Sequence, residues 1–86
     1  MTPIETLLHC ADIYAAAKGL RESSLSTYML NHSRKLGTLR DGTSDIGTKQ
    51  LAKAFQWLSD RWPDGASWPE GIERPIPVVA SEVGDV

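Results

Sequence analysis

The chain has 86 residues, 41% of them hydrophobic and 23% charged, with one cysteine and a formal net charge of −2. This length allows a single domain with a small core, and the apolar fraction is too high for a chain that is disordered throughout. One cysteine excludes an internal disulfide, and the N-terminus has no signal-peptide pattern, so we expect a cytoplasmic protein. No apolar run is long enough to span a bilayer, so we expect no membrane-spanning segment.

Positive charge is concentrated in the middle of the chain. Residues 18–53 contain seven Lys and Arg against three acidic residues, a net charge of +4, whereas the segments before and after them carry −2 and −4. A basic middle between acidic ends is the kind of asymmetry that indicates an anionic partner such as nucleic acid. The alternative is an ordinary solvated surface on which lysines cluster.

The first predicted helix covers residues 3–18. Thr2, Pro3 and Glu5 have the spacing of a capping box with proline at the first helical position. Apolar residues then recur every three or four positions and fall on one stripe. The stripe consists of Ile4, Leu7, Leu8, Ala11, Tyr14 and Ala15. Gly19 is the expected end, because glycine adopts the left-handed conformation without a Cβ clash.

The second predicted helix, residues 21–30, follows so soon that the two helices have the spacing of a helix-turn-helix. A small residue lets the second helix cross the first closely, and a glycine four positions later turns the chain at positive φ. A leucine then fills the turn, and two apolar residues, beside Met29, hold the second helix to the core by its inner face. The small residue is Ala15, the glycine is Gly19 and the leucine in the turn is Leu20. The two apolar residues of the inner face are Leu25 and Tyr28.

A polar break at residues 31–33 separates the second helix from a short third helix. Ser33 is expected to cap this third helix, whose Leu36 and Leu39 face the core. The run Asp41-Gly42-Thr43-Ser44 has the composition of a turn and is expected to end the helix.

The fourth predicted helix runs from Thr48 to Trp62 and is stopped by Pro63. Its apolar face carries Leu51, Ala54, Phe55, Leu58 and Trp62. Trp57 lies off this face: we expect the chain after the helix to cover it, and a dimer interface is the alternative. The predicted fold class is therefore all-α, a compact four-helix helix-turn-helix domain over residues 1–62.

The composition changes after the fourth helix, where four of the five prolines fall and helical periodicity ends. Residues 63–75 are predicted to form an extended strap that Trp68 and Ile72 pin to the helices. Residues 76–86 are predicted to be a flexible tail, in which Pro77–Ala80 has the composition of a short edge strand.

The turn region resembles a known superfamily, the phage-repressor-like, Cro/Xre-type helix-turn-helix regulators. Gly19-Leu20-x-x-x-Ser24-Leu25-Ser26 is similar to their Gly-(apolar)-x-x-x-Ser-(apolar)-Ser signature, and Trp62-Pro63 is similar to the ending of short bacterial and phage-borne regulators. Lys18 and Arg21 depart from the superfamily pattern, which has an apolar residue and a Ser or Thr cap at these positions. The resemblance implies a sequence-specific DNA-binding transcriptional regulator that inserts its second helix into the major groove.

On this interpretation the outward side of the second helix reads base pairs. The predicted base contacts are Arg21, Glu22, Ser23, Ser26, Thr27 and Leu30. Arg21 has the reach for a guanine edge or a phosphate, the hydroxyls bond several base edges, and Leu30 suits a thymine methyl. The predicted phosphate contacts are Asn31, Arg34, Lys35 and Lys49. A homodimer on double-stranded DNA would double these contacts, and we expect modest specificity because the reading side has no Asn, Gln or Lys.

Other interpretations stay open. A helical hairpin without a nucleic-acid partner produces the same spacing of Ala, Gly and Leu, and a solvated helix start explains Arg34 and Lys35. A protein-interaction module, such as an antiactivator or anti-repressor, fits the acidic ends, the hydroxyl-rich outer side and Trp57. A recombination accessory factor that bends DNA shares the chemistry of the regulator.

Catalytic and metal sites are not predicted. The candidate ligands His9, Cys10 and His32 are poorly spaced, since neighbours on a helix point about 100° apart. Cys10 is expected to be a packing residue and His9 an exposed one. The sequence has no nucleophile elbow, phosphate loop or paired carboxylates, so we expect neither an enzyme nor a cofactor.

Overall fold

The computed structural model describes residues 2–77 of the chain, and this part contains four helices. They are α1 (Pro3–Lys18), α2 (Glu22–Leu30), α3 (Lys35–Asp41) and α4 (Thr48–Asp60). No strand occurs in this range, so the predicted all-α, four-helix class is confirmed. None of these helices is long and apolar enough to cross a membrane. The predicted tail, with most of its edge strand, lies outside the described residues, except for Ile76 and Pro77.

α1 begins and ends where the sequence predicts. The Thr2 hydroxyl accepts a hydrogen bond from the backbone N–H of Glu5 (3.1 Å), and the Glu5 carboxylate accepts one from the Thr2 backbone N–H (2.8 Å). The hydrogen bond from the Thr2 backbone holds the pKa of Glu5 below its usual value. At the other end Gly19 has φ 68°, the left-handed conformation that glycine adopts without strain.

The core lies between the four helices. Its buried apolar members are Leu7, Leu8, Cys10, Ala11, Tyr14, Leu25, Leu30, Leu36, Leu39, Ala54, Leu58 and Trp62. Cys10 is fully buried, as predicted for a packing residue, and burial raises the pKa of its thiol to about 11. Cys10 is therefore a protonated, apolar-like side chain at neutral pH. His9 is exposed, as predicted.

α2 turns a different side to the core from the one predicted. Leu25 is buried as expected, but Tyr28, expected on the inner face, is 59% exposed. Ser26 and Leu30, expected to project outward, are 0% and 6% exposed. The physical reason is that α2 packs against α1, α3 and α4 together, so a broad side of it is covered. Burying Leu30 also costs less than burying Tyr28, whose hydroxyl needs a polar partner.

The hydroxyl of Ser26 takes the capping role that the sequence assigned to Ser33. Arg34 is the N-cap of α3 and makes no side-chain hydrogen bond to the helix. Instead, the Ser26 Oγ accepts the buried backbone N–H of Leu36 (3.0 Å) and donates to the carbonyl of His32. The prediction that Ser33 caps α3 is wrong because a hydroxyl from α2 already satisfies this N–H group.

α4 ends at Asp60, two residues before the predicted end, and the buried Trp62 follows it. Trp57 is half-buried. Its ring packs edge-on against Tyr14 of α1, with the ring centroids 5.5 Å apart, and the guanidinium carbon of Arg61 lies 4.5 Å from its centroid. Tyr14 of α1 and Arg61 thus both contact the Trp57 ring. Cover by the chain after α4 stays a prediction.

The strap, residues 63–75, runs over the helices without forming a helix or a strand. The rings of Trp62 and Trp68 pack edge to face with centroids 4.7 Å apart. Each indole N–H donates to a carbonyl four residues later, Trp62 to Ala66 (2.9 Å) and Trp68 to Ile72 (3.0 Å). Trp68 and Ile72, the two residues predicted to pin the strap, are half-buried against the core.

Hydrogen bonds tie the end of the strap to the last turns of α4. The fully buried Ser59 hydroxyl donates to the Pro75 carbonyl and accepts from Nε of Arg74 (3.0 Å). Arg74 also donates to the Ser59 carbonyl (2.8 Å), and the Gln56 amide donates to the Ile76 carbonyl (2.8 Å). The strap is therefore held by polar contacts to α4 as well as by its tryptophan.

Candidate nucleic-acid interface

The turn between α1 and α2 consists of Gly19, Leu20 and Arg21. Gly19 turns the chain at positive φ, and the Leu20 backbone N–H donates to the Ala15 carbonyl (2.9 Å), which closes the end of α1. Leu20 is half-buried against the core, as predicted for the residue that fills the turn. A short, glycine-containing turn of this kind is the connection found in helix-turn-helix units.

The outward side of α2 differs in three positions from the predicted reading face. The exposed side chains on α2 and its N-cap are Arg21, Glu22, Ser23, Thr27 and Tyr28. The predicted base contacts Ser26 and Leu30 are absent from this side because both are buried. Tyr28 adds a phenolic hydroxyl that the sequence pattern had assigned to the core. The Thr27 hydroxyl donates to the Ser23 carbonyl (3.0 Å) and keeps its lone pairs as acceptors.

Arg40 of α3 links its own helix to α1 and α2. Its guanidinium pairs with Asp12 of α1 (2.7 Å) and with Glu22 of α2 (2.5 Å). The hydrogen bonds to Asp12 and to Glu22 raise the pKa of Arg40. Glu22 is thus engaged within the protein, and Arg40 contributes no free positive charge to the surface. Sequence reasoning missed this cluster because its members lie on three different helices and share no spacing.

A groove of about 310 Å³, the α3 groove, lies between the N-terminal half of α2 and α3. Three predicted contacts, Glu22, Ser23 and Arg34, line this groove together. Asp41 also lines it, so the guanidinium of Arg34 shares the groove with two carboxylates. The α3 groove therefore offers a phosphate one cation whose charge is offset by its neighbours.

A second groove of about 440 Å³, the α4 groove, lies between the C-terminal end of α2 and the first turns of α4. Tyr28, Asn31, Lys49 and Lys53 line it, and no carboxylate is among its lining residues. Asn31 ends α2 in the left-handed conformation (φ 57°), with its backbone N–H bonded to the Thr27 carbonyl (2.9 Å). The structure thus groups two predicted phosphate contacts, Asn31 and Lys49, with two residues that were not predicted.

The other two predicted phosphate contacts stand at the start of α3. Arg34 is exposed. Lys35 is half-buried, and its Nζ donates to the Asp45 carbonyl (2.6 Å), which tethers the α3–α4 loop and leaves two ammonium protons for another acceptor. Arg21, Arg34 and Lys49 form no ion pair with another residue between 2 and 77. Their charges therefore stay available to an anionic partner.

No protein family, curated protein or solved structure shows a significant match to this chain. The resemblance to the Cro/Xre-type regulators accordingly remains a prediction carried by the turn signature alone. In the part of the chain described by the structure, no group of three His, Cys, Asp or Glu side chains is placed to hold a metal ion. The exposed side chains on α2 and its N-cap are one cation, two hydroxyls, one phenol and the Glu22 carboxylate, which Arg40 holds.

Proposed function

We propose that this protein is a small DNA-binding transcriptional regulator whose α2 enters the major groove of duplex DNA. The observation that carries the proposal is the outward side of α2, which follows a three-residue turn and bears Arg21, Ser23 and Thr27, all exposed. Arginine recognises the O6 and N7 acceptors of guanine, and hydroxyls bond several base edges. Cations without ion pairs border this side, and they supply the phosphate contacts on which affinity for DNA depends.

The proposed base contacts are fewer than the sequence predicts. Glu22 is held by Arg40, so its carboxylate is not free to accept from a cytosine amino group. Ser26 and Leu30 are buried and serve the fold. The three side chains named above remain as direct readers, which suits a regulator of modest specificity.

A single α2 reads few base pairs, so the proposal includes a homodimer on two half-sites about 34 Å apart, one helical turn of DNA. Dimerisation doubles both the phosphate contacts and the sequence that is read. A cytoplasmic location belongs to the same proposal, because the one cysteine is a buried free thiol, which suits a reducing compartment.

Binding to duplex DNA at two salt concentrations tests this proposal. A duplex is selected from a random pool at about 50 mM salt, and we expect its affinity to fall steeply towards about 200 mM as counterions are released. Arg21→Gln should weaken binding about tenfold and relax the preference at one base pair. Arg34→Gln should reduce the log–log salt slope by about 1 and leave the base preference unchanged.

Arg61→Gln is the matched control. It removes the same charge at the other end of α4, about 18 Å along the helix axis from Lys49, and we expect the wild-type salt slope. Circular dichroism of each variant checks that the fold is retained. Absence of wild-type binding to any duplex at about 50 mM salt would contradict the proposal.

The exposed ring of Tyr28 favours one other function, a protein-interaction module such as an anti-repressor. Aromatic side chains are enriched at protein interfaces, where their burial provides much of the binding energy. Such a module would bind its protein partner with little dependence on salt, and would show no duplex binding at low salt. The same titration therefore separates the two functions.

A further inference from the structure

The α4 groove has the composition of an anion site. Lys49 and Lys53 are both exposed and stand four residues apart, so their ammonium groups lie on one side of α4. Across the groove α2 contributes the amide of Asn31 and the hydroxyl of Tyr28. All four side chains carry hydrogen-bond donors, and two of them carry positive charge.

The two grooves that border α2 differ in net charge. In the α3 groove one cation, Arg34, is accompanied by the carboxylate of Asp41 and by that of Glu22, which is paired with Arg40. In the α4 groove two cations are accompanied by no carboxylate among the lining residues. Because the interaction with a phosphate depends on the sum of these charges, the α4 groove attracts an anion more strongly than the α3 groove does.

We infer that the α4 groove is the principal phosphate-binding site of this protein, and that its ligand is the phosphodiester backbone of duplex DNA. Lys49 and Lys53 neutralise adjacent phosphates, and the Tyr28 hydroxyl donates to a phosphate oxygen. This inference rests on the proposed function. The inference adds two DNA contacts, Tyr28 and Lys53, that the sequence did not predict. It also means that the C-terminal end of α2 is held to the DNA backbone more strongly than the N-terminal end.

The separation of the grooves indicates which strands they contact. The α3 groove meets α2 at Glu22–Ser23 and the α4 groove at Tyr28–Asn31, which is about 10 Å along the helix axis at 1.5 Å per residue. The major groove of B-DNA is about 12 Å wide. A helix seated in that groove therefore brings its two ends to opposite phosphate backbones, the α4 groove to one strand and Arg34 to the other.

Salt titration of three variants on the selected duplex tests the inference. Lys53→Gln should reduce the log–log slope by about 1, and the double variant Lys49→Gln/Lys53→Gln by about 2. Tyr28→Phe removes only the hydroxyl and should weaken binding about two- to tenfold without changing the slope. Arg61→Gln again serves as the control for charge removed elsewhere on α4.

Neutral methylphosphonate linkages, placed one at a time in each strand, test the strand assignment. In the wild type, neutral linkages at the contacted phosphates should weaken binding on both strands. In the Lys49→Gln/Lys53→Gln variant the effect should vanish on one strand only, and in Arg34→Gln on the other strand only. Loss of sensitivity on the same strand in both variants would overturn the strand assignment.

The outcomes for the inference and for the proposed function are distinct. If the wild type binds the duplex and the double lysine variant keeps the full salt slope, the inference is wrong while the proposed function stands. If the wild type binds no duplex at low salt, the proposed function fails and this inference fails with it. Unchanged circular dichroism of the variants, whose altered side chains are all exposed, confirms that each measurement reports binding.

Discussion

Two fully buried serines, Ser26 and Ser59, make the same pattern of hydrogen bonds in two regions of this protein. Each hydroxyl donates to a backbone carbonyl, Ser26 to His32 and Ser59 to Pro75, and each accepts one further bond. Ser26 joins α2 to the start of α3 and so fixes the candidate DNA interface. Ser59 holds the strap, which lies on another part of the fold. The same pair of hydrogen bonds therefore positions the candidate interface in one region and the strap in the other.

The largest effect should come from breaking the first of these contacts. Ser26→Ala leaves the buried N–H of Leu36 and the carbonyl of His32 without their partner, which should lower the free energy of unfolding by about 1–3 kcal/mol. Urea denaturation followed by circular dichroism measures the change. Ser23→Ala, an exposed serine of the same helix, is the matched control and should stay within about 0.5 kcal/mol of the wild type. Equal free energies of unfolding for the two variants would contradict the structural role assigned to Ser26.

A smaller effect is expected at the second serine. Ser59→Ala should cost about 1 kcal/mol, because its partner Arg74 is exposed and can bond water instead. Hydrogen exchange should speed up at the strap amides, while DNA affinity stays at the wild-type value. Loss of DNA binding in this variant, with the helices intact, would show that the strap and the interface are not separable.

Removing the ion-pair cluster should have a still smaller effect. Arg40→Gln breaks the contacts to Asp12 and Glu22, all partly exposed, and should cost about 0.5–1 kcal/mol at low ionic strength. The difference should shrink towards zero near 1 M salt because the charges are screened. Denaturation at both salt concentrations checks this. A loss that is independent of salt would mean that Arg40 acts through packing.

The last prediction concerns the pH dependence of stability at Cys10, which begins only above neutral pH. Burial raises the pKa of its thiol from 9.0 to about 11, so the folded state holds this proton more tightly than the unfolded state does. Its contribution to stability is complete below about pH 9 and is lost as the pH rises towards 11. The stability difference between the wild type and Cys10→Ala should therefore narrow across this range in urea denaturation. A difference that stays constant would contradict the assigned pKa.

Local signals allowed the sequence to predict much of the fold. The capping box at Thr2 and Glu5 and the stop at Gly19 gave both ends of α1, because each signal lies within a few residues of the helix end it marks. The burial of Leu36 and Leu39 in α3 was predicted from their three-residue spacing, which is also a local signal. The end of α4 was placed two residues late because Trp62 continues the apolar pattern after the helix has stopped.

Apart from the end of α4, the errors concern contacts between elements. Periodicity gave a narrow stripe for α2, but this helix is covered by three others, so Leu30 entered the core and Tyr28 did not. The Ser26 hydroxyl bonds the backbone N–H of Leu36 at the start of α3, ten residues later in the chain. Arg40 pairs with carboxylates from two other helices. No spacing rule within one helix reports such partners. The exposure of Arg21, Glu22, Ser23 and Thr27 was therefore predicted, whereas the burial of Ser26 and Leu30 was not.

Amide chemical shifts on titration with the selected duplex at low salt give the most direct test of the central claim that α2 and its neighbouring helix starts bind DNA. We expect the largest shifts in residues 19–35 and 48–53, which include the outward side of α2 and the α4 groove, with the strap at 63–75 unchanged. Shifts concentrated in the strap, or no shifts with any duplex, would contradict the account.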